Sequence, residues 1–275
     1  MGFVELLKKR AKESVKTIVL PETEDMRTLE ATDKILKEGV AKIILIGNEE
    51  EINKKAAEGG FDISGAQIVD PEKSDRTQAY IDKFVELRAK KGMTPEKAKE
   101  ILHTQYPYYG VMMVKMGDAD GMVSGACHST ADTLRPCLQI LKTKPGTKLV
   151  SAFFLMVVPN CEYGANGAFV FADSGLNQNP TSEELAAIAA SSAESFELLV
   201  QEKPIVAMLS HSTKGSAKHA DVDKVVEATK IAKEQNPELA LDGEFQLDAA
   251  IVPSVGASKA PGSEVAGKAN VLVFP

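Results

Sequence analysis

The 275-residue sequence contains no tryptophan, and its 3 cysteines form no Cys-x-x-Cys pair. An odd number of isolated cysteines is typical of a reducing compartment, so we expect a cytoplasmic protein without a disulfide framework. No paired Cys or His motif with metal-ligand spacing is present, and no metal site is predicted. No apolar run approaches the roughly 20 residues that cross a bilayer, and residues 1–10 lack the apolar core of a signal peptide.

The charge pattern is equally restrictive. The formal net charge is −7, and no block of five like charges occurs. A nucleic-acid partner is disfavoured because such proteins usually carry a basic stripe that displaces counterions, whereas a local basic pocket for a small anion stays compatible. With 44% hydrophobic and 26% charged residues, the chain is an ordinary globular one whose length suits two modest domains.

Short β-branched runs alternate with helical patterns from the start of the chain. Residues 17–21 predict a strand, residues 25–38 a helix and residues 42–47 a second strand. This rhythm predicts an α/β protein with mainly parallel sheets flanked by helices.

A turn cluster, Lys-Pro-Gly-Thr at 144–147, predicts a boundary between an α/β domain at 1–146 and a second α/β domain at 147–275. The longest apolar run, at 148–158, follows this boundary. Its length is that of a buried strand.

The first candidate site lies between a short predicted strand and the helix that follows it. Gly125 and Ala126 allow the backbone to approach a ligand, and Ser129 or Thr130 can cap the helix. Free N–H groups at a helix start predict an anion site, to which Arg135 could add a contact with phosphate. The same residues would also suit an ordinary capped helix with a solvated arginine.

The second candidate site follows the predicted strand at 205–209. Ser212, Thr213, Lys214 and Gly215 supply hydroxyls, a cation and backbone freedom that could hold a phosphate. The order of a Walker A loop is absent, and an ordinary polar turn is the alternative.

No residue stands out as a catalytic nucleophile. Cys127 precedes His128 near a helix start, where a thiolate is stabilised, but adjacent residues rarely face each other as nucleophile and base. We therefore expect chemistry without a covalent enzyme intermediate, and we assign no catalytic base.

Ordered short segments occur along nearly the whole chain. They include Glu-Leu-Arg at 86–88, Asp-Gly-Met-Val-Ser-Gly-Ala at 120–126, Ser-Thr-Lys-Gly-Ser-Ala at 212–217 and Asp-Gly-Glu at 242–244. In these segments the sequence resembles the phosphate acetyltransferase family. The resemblance implies interconversion of acetyl-CoA and phosphate with CoA and acetyl phosphate. It also implies a two-domain fold like that of isocitrate and isopropylmalate dehydrogenases, a cleft between the domains, and a homodimer.

The resemblance also assigns site residues position by position. It implies direct attack in a ternary complex of CoA and acetyl phosphate, which are substrates, so no separate cofactor is expected. The positions that match the family's substrate-binding residues are Arg88 and Arg135 for CoA, and Ser129, Thr130, Ser212, Thr213 and Lys214 for the substrate and phosphate loops.

One departure from the family pattern concerns its C-terminal segment. Family members continue beyond the strand at 271–274 with helices and an Asn-Asp-Leu-Ser-Arg-Gly-type motif, followed by an aspartate proposed as the base. We expect this chain to lack that segment. The missing segment makes a non-catalytic acetyl-CoA-binding regulatory module or inactive fragment one alternative. A second alternative is a phosphate butyryltransferase, a near relative that differs in the size of the acyl group.

Overall fold

A computed structural model describes residues 2–147 and 149–275. Two compact units divide between Lys142 and Thr143, four residues before the predicted boundary after residue 146. Met1 and Lys148, which begin the predicted first domain and the predicted apolar strand, lie outside the described residues.

The first unit contains a parallel sheet of four strands in the order β3-β2-β1-β4. Its strands are β1 (Lys16–Leu20), β2 (Ala41–Ile46), β3 (Gln67–Val69) and β4 (Gly121–Met122). Its α-helices are α1 (Phe3–Glu13), α2 (Met26–Glu38), α3 (Glu49–Gly59), α4 (Thr77–Arg88), α5 (Pro95–Thr104), α6 (Tyr106–Met116) and α7 (Thr130–Pro136).

Both faces of the central strand β2 are buried, as expected for a parallel sheet. Ile43 and Leu45 point to a core shared with α2 and α3. Ile44 and Ile46 point to the opposite core, which α4, α5 and α6 cover. The continuous apolar sequence of this strand therefore reflects burial on two sides rather than one.

Helix ends follow local sequence signals. The side chain of Asp25 accepts a hydrogen bond from Arg27 N at the start of α2, and Gly39 ends this helix at a φ of 66°. This left-handed backbone conformation favours glycine, because glycine has no Cβ that would clash with the backbone. Helix α7 ends at Pro136, and a π-helical turn covers Cys137–Leu141. Proline has no N–H to continue the α-helical pattern.

The second unit contains a five-stranded sheet in the order β5-β6-β9-β7-β8, parallel except for β5 against β6. Its strands are β5 (Phe153–Val157), β6 (Ala168–Ala172), β7 (Ile205–Leu209), β8 (Ala240–Phe245) and β9 (Val271–Val273). Its helices are α8 (Ser182–Val200), α9 (Ala220–Gln235), α10 (Leu247–Ile251) and α11 (Pro253–Lys259). Thr181 and Glu184 form a reciprocal capping box at the start of α8.

The longest apolar run does not form the buried strand that its length predicted. Among the described residues of this run, 149–158, only Phe153–Val157 is a strand, and it lies at the sheet edge, where Phe154 is 61% exposed. The prediction failed because an edge strand is covered on one side only, which composition alone does not reveal.

The α/β class with mainly parallel sheets flanked by helices is confirmed. None of the described helices is both long and apolar enough to cross a membrane.

Candidate active site

The loop after β4 ends in a well-formed helix cap. Ser129 accepts a hydrogen bond from Asp132 N at 3.2 Å and donates one to Asp132 Oδ2 at 2.7 Å. Thr130 is the first residue of α7 and is exposed. The predicted cap is therefore present, with Ser129 in that role.

A buried carboxylate organises the preceding part of this loop. Glu22, which is 2% exposed, follows β1. Its Oε2 accepts hydrogen bonds from the N–H groups of Gly125 at 2.6 Å and Ala126 at 2.8 Å, and its Oε1 from those of Cys127 at 3.0 Å and His128 at 2.9 Å. The protein's own carboxylate thus occupies the N–H groups of residues 125–128, which precede the helix cap, and an anion site at the start of α7 stays a prediction.

This arrangement keeps Glu22 charged. Burial alone would raise the pKa of Glu22, but hydrogen bonds from the backbone N–H groups of Cys127 and Ala126 and from the His128 side chain hold it well below its usual range. Gly125 adopts a φ of 115°, which an L side chain rarely adopts, so the turn favours glycine. The loop therefore has one preferred conformation set by an internal anion.

The thiol of Cys127 lies among acids. Its Sγ donates to Glu24 Oε1 at 3.3 Å and to Glu22 Oε1 at 3.6 Å. Burial and these carboxylates raise the pKa of Cys127 to about 12. At neutral pH the sulfur is protonated and a poor nucleophile, in line with the expectation of chemistry without a covalent enzyme intermediate.

The two arginines predicted to bind CoA, Arg88 and Arg135, both affect the pKa of Tyr108. Tyr108 lies on α6, and its hydroxyl donates to Gln139 Oε1 at 3.2 Å. Burial raises the pKa of Tyr108, while the positive charges of Arg135 and Arg88 oppose that rise. The structure thus places both cations near one side chain of the first unit.

The two guanidinium groups differ in their partners. Arg135 Nη1 donates to Asp132 Oδ1 at 2.9 Å on the exposed surface of α7. The Nε of Arg88 is buried and has no hydrogen-bond partner among residues 2–147 and 149–275. A buried donor without a partner is costly, and a ligand oxygen would satisfy it.

The loop after β7 is also organised by a buried glutamate. Glu244, which is 3% exposed, lies in β8. Its Oε1 accepts hydrogen bonds from Ser212 Oγ at 2.8 Å and Gly215 N at 2.7 Å. Thr213 Oγ1 accepts one from Gln246 N at 2.8 Å. The hydroxyls of Ser212 and Thr213 therefore hold the loop together, and their contact with substrate stays a prediction.

The charge of Lys214 is balanced inside the protein. Its Nζ donates to Asp242 Oδ1 at 2.8 Å and to Gly243 O at 2.7 Å. The carboxylate of Asp242 also accepts from Lys233 and Ser263, each at 2.7 Å. Burial alone would raise the pKa of Asp242, but these partners lower it to about 2. A phosphate bound by Lys214 would therefore share that cation with Asp242.

Asp173, at the end of β6, repeats the pattern. Its carboxylate accepts hydrogen bonds from Ala152 N at 2.9 Å, Leu176 N at 2.8 Å and Asn177 Nδ2 at 2.7 Å. Burial alone would raise the pKa of Asp173, but these donors lower it. Its side chain therefore supports the turn, and we do not assign it as a base.

A cavity of about 420 Å³ in the first unit was not predicted from the sequence. It lies where β1 and β2 end, and its walls include Glu24, Lys55, His103, Tyr106 and His128. The Nε2 of His103 is buried without a hydrogen-bond partner among the described residues. Ligands of open α/β sheets bind at such strand ends, and this was the signal available for Glu22 and for the cavity.

Parallel-sheet units with ordered polar loops at the carboxyl ends of their strands are typical of α/β enzymes that bind anionic ligands. Residues 2–275 match the family model described as "Phosphate acetyl/butaryl transferase". The chain belongs to this family.

The relatives agree in sequence and in structure. A phosphate acetyltransferase of Acetivibrio thermocellus is 58% identical over 275 residues, which cover 100% of this chain and 82% of that protein. One of Thermoanaerobacterium thermosaccharolyticum is 56% identical and is 83% covered. The crystal structure of a phosphotransacetylase from Streptococcus pyogenes is 46% identical, with a TM-score of 0.89 over 99% of this chain and 81% of that chain.

Proposed function

We propose that this chain transfers an acetyl group reversibly between CoA and phosphate. The observation that carries the proposal is the pair of arginines near Tyr108, of which Arg88 has a buried Nε without a partner among the described residues. CoA carries several phosphates, and arginine is suited to bidentate phosphate binding. The identity of 58% to a phosphate acetyltransferase supports the same activity.

The reaction proceeds by direct attack in a ternary complex. The CoA sulfur forms a bond to the carbonyl carbon of acetyl phosphate, the bond between that carbon and the bridging oxygen breaks, and phosphate leaves with the electron pair. The thiol loses its proton, which the departing phosphate takes up, so the products are acetyl-CoA and hydrogen phosphate. No cofactor is required, because both groups that exchange the acetyl unit are substrates.

The residues of each unit have separate parts in the proposal. Arg88 and Arg135 bind the phosphates of CoA, and the loop that carries Ser129 and Thr130 contacts the acyl donor. The raised pKa of Cys127 supports transfer without an acetyl-cysteine.

The loop after β7 carries Ser212, Thr213 and Lys214. Within it, Lys214 is the residue proposed to contact phosphate, because its side chain is 40% exposed. Buried Ser212 and Thr213 shape the loop.

The alternatives are less well supported. Relatives above 50% identity carry the name phosphate acetyltransferase, which favours an acetyl group over a butyryl group. The same names favour an enzyme over a non-catalytic acetyl-CoA-binding module.

The decisive experiment follows thioester formation in the ultraviolet with the purified 275-residue chain, CoA and acetyl phosphate. We expect turnover well above a buffer control, and faster turnover with acetyl phosphate than with butyryl phosphate. Binding of CoA by calorimetry without turnover would contradict the transferase proposal and favour the regulatory module. Turnover with butyryl phosphate but not with acetyl phosphate would favour a phosphate butyryltransferase.

A homodimer and a cytoplasmic location complete the proposal. The free thiols of Cys127, Cys137 and Cys161 suit a reducing compartment. Exposed Phe154 and Met156 on edge strand β5 form the kind of apolar surface that a second subunit covers. Light scattering of the purified chain tests the dimer, and a monomer at micromolar concentration would contradict it.

A further inference from the structure

Three side-chain donors of different chemistry meet beside the first loop. They are Glu22 Oε1, Cys127 Sγ and His128 Nδ1. The sulfur lies 3.6 Å from the carboxylate oxygen and 3.7 Å from the ring nitrogen, and the nitrogen lies 2.8 Å from the oxygen. Carboxylate, thiolate and imidazole are the ligands that zinc takes in proteins.

We propose that Glu22, Cys127 and His128 form a binding site for one Zn²⁺ ion. The proposal does not depend on the transferase activity. No sequence motif announces the site, because 105 residues separate Glu22 from Cys127 in the chain.

The distances are close to those of a tetrahedral zinc centre. Zinc–ligand bonds of about 2.0 to 2.3 Å at tetrahedral angles place two ligand atoms about 3.4 to 3.6 Å apart. The two distances from the Cys127 sulfur, 3.6 Å and 3.7 Å, are already near these values. The contact between His128 and Glu22 at 2.8 Å must widen by roughly 0.6 Å, which a small rotation of the imidazole provides.

The donors are held in place before an ion arrives. Backbone N–H groups fix the Glu22 carboxylate, and Cys127 is exposed, so an ion can reach the sulfur from solvent. Glu24 Oε1 lies 3.3 Å from the same sulfur and can complete the coordination, either directly or through a water molecule. Preorganised ligands lower the cost of metal binding.

Charge also favours a cation here. Glu22 and Glu24 contribute two negative charges beside the thiol. Arg27 contacts the loop at Ala126 O, but its charge is paired with Asp25. A sulfur and a nitrogen ligand select Zn²⁺ over Mg²⁺ or Ca²⁺, which prefer oxygen.

Binding has a defined proton balance. The S–H bond of Cys127 breaks, its proton passes to solvent, and the sulfur electron pair forms the bond to zinc. The hydrogen that Nδ1 of His128 donates to Glu22 in the zinc-free protein moves through solvent to Nε2, and the freed Nδ1 lone pair binds zinc. No oxidant or reductant is needed.

Cobalt(II) provides a readout that is separate from activity. We would strip the full chain with a chelator and titrate it with Co²⁺. The expected result is one equivalent that produces a thiolate-to-cobalt charge-transfer band, which Zn²⁺ then abolishes. The exposed imidazoles of His211 and His219, whose ring centres are 5.9 Å apart, contain no sulfur and cannot produce that band. Absence of the band from the parent protein would overturn the proposal.

Matched variants locate the site. Cys127→Ser should abolish the band, and His128→Gln should weaken Zn²⁺ binding at least about tenfold. Cys161→Ser, in the other unit, should retain both band and affinity. A band that persists in Cys127→Ser would contradict the assignment.

A measurement on the parent chain tests the proposal without depending on whether the variants fold. Alkylation with excess reagent, continued until Cys127 of the zinc-free chain is fully labelled and followed by mass spectrometry, should show that Zn²⁺ protects Cys127 and leaves Cys161 reactive. Equal alkylation of Cys127 with and without Zn²⁺ would also overturn the proposal.

Discussion

The Nδ1 atom of His128 lies 2.8 Å from Glu22 Oε1, although 106 residues separate them in the chain. The same carboxylate accepts four backbone N–H groups from residues 125–128. The segment 125–128 is therefore built around an internal anion.

Replacing Glu22 with Gln should destabilise the first unit. An amide keeps the shape but loses the charge, and its NH₂ group opposes some of the N–H donors that a carboxylate accepts. Loss of charged hydrogen bonds should lower the free energy of unfolding by about 2 to 3 kcal/mol, measured with urea. The control variant is Glu24→Gln, which changes an exposed glutamate near Glu22. We expect its free energy of unfolding to change by no more than about 0.5 kcal/mol. Equal stability of the two variants would contradict this account.

Asp242 should make stability depend on acid pH. Its pKa is about 2 in the folded protein against 3.8 ordinarily. The stabilisation, worth about 2 kcal/mol, is therefore complete above about pH 5 and is lost as the pH falls through 4 towards 2. Between pH 6 and pH 3 the parent should lose about 1 kcal/mol more than Asp242→Asn in urea unfolding. Parallel pH profiles for the two proteins would show that the prediction is wrong.

Replacing Arg135 with Ala should weaken CoA binding far more than binding of acetyl phosphate. Loss of a charge-assisted contact to phosphate corresponds to about 10- to 100-fold in affinity. Calorimetry with each ligand measures the difference. Lys90→Ala removes an exposed cation near Arg88 and should leave CoA affinity unchanged. Equal affinity of the parent and the Arg135→Ala variant for CoA would show that Arg135 does not bind CoA.

Replacing Cys127 with Ala should leave acetyl transfer largely intact. The raised pKa, about 12, keeps the sulfur protonated, and direct transfer does not use it. Turnover is measured by thioester absorbance, and acid-quenched mass spectrometry searches the parent for an acetyl-cysteine. Loss of turnover together with a trapped adduct in the parent would favour a covalent mechanism instead.

Local signals predicted much of the fold. The capped starts of α2 and α8 and the strand rhythm are encoded in neighbouring residues, so they are visible in the sequence. The exposure of β5 and the short α7 were not, because the first depends on sheet order and the second on one proline.

The site was harder to predict because its contacts join residues that are distant in the sequence. Contact of Glu22 with residues 125–128, and of Glu244 with the loop that contains Ser212, joins chain segments that are far apart in sequence. Sequence alone showed small and polar residues at strand ends, which suit either a ligand or an internal partner. The buried glutamates show that the N–H groups of residues 125–128 and of Gly215 have internal partners.

The buried carboxylates of Glu22 and Glu244, which hold the two loops in place, affect the thermodynamics of ligand binding. A flexible loop that a ligand must order costs about 0.5 to 1.5 kcal/mol for each immobilised side chain. Ser212 and Thr213 are already buried and hydrogen-bonded within their loop, and Ser129 is already committed to its helix cap. Ligands at these loops should therefore bind with a small loss of conformational entropy and with little change in hydrogen-exchange protection of the loop backbone.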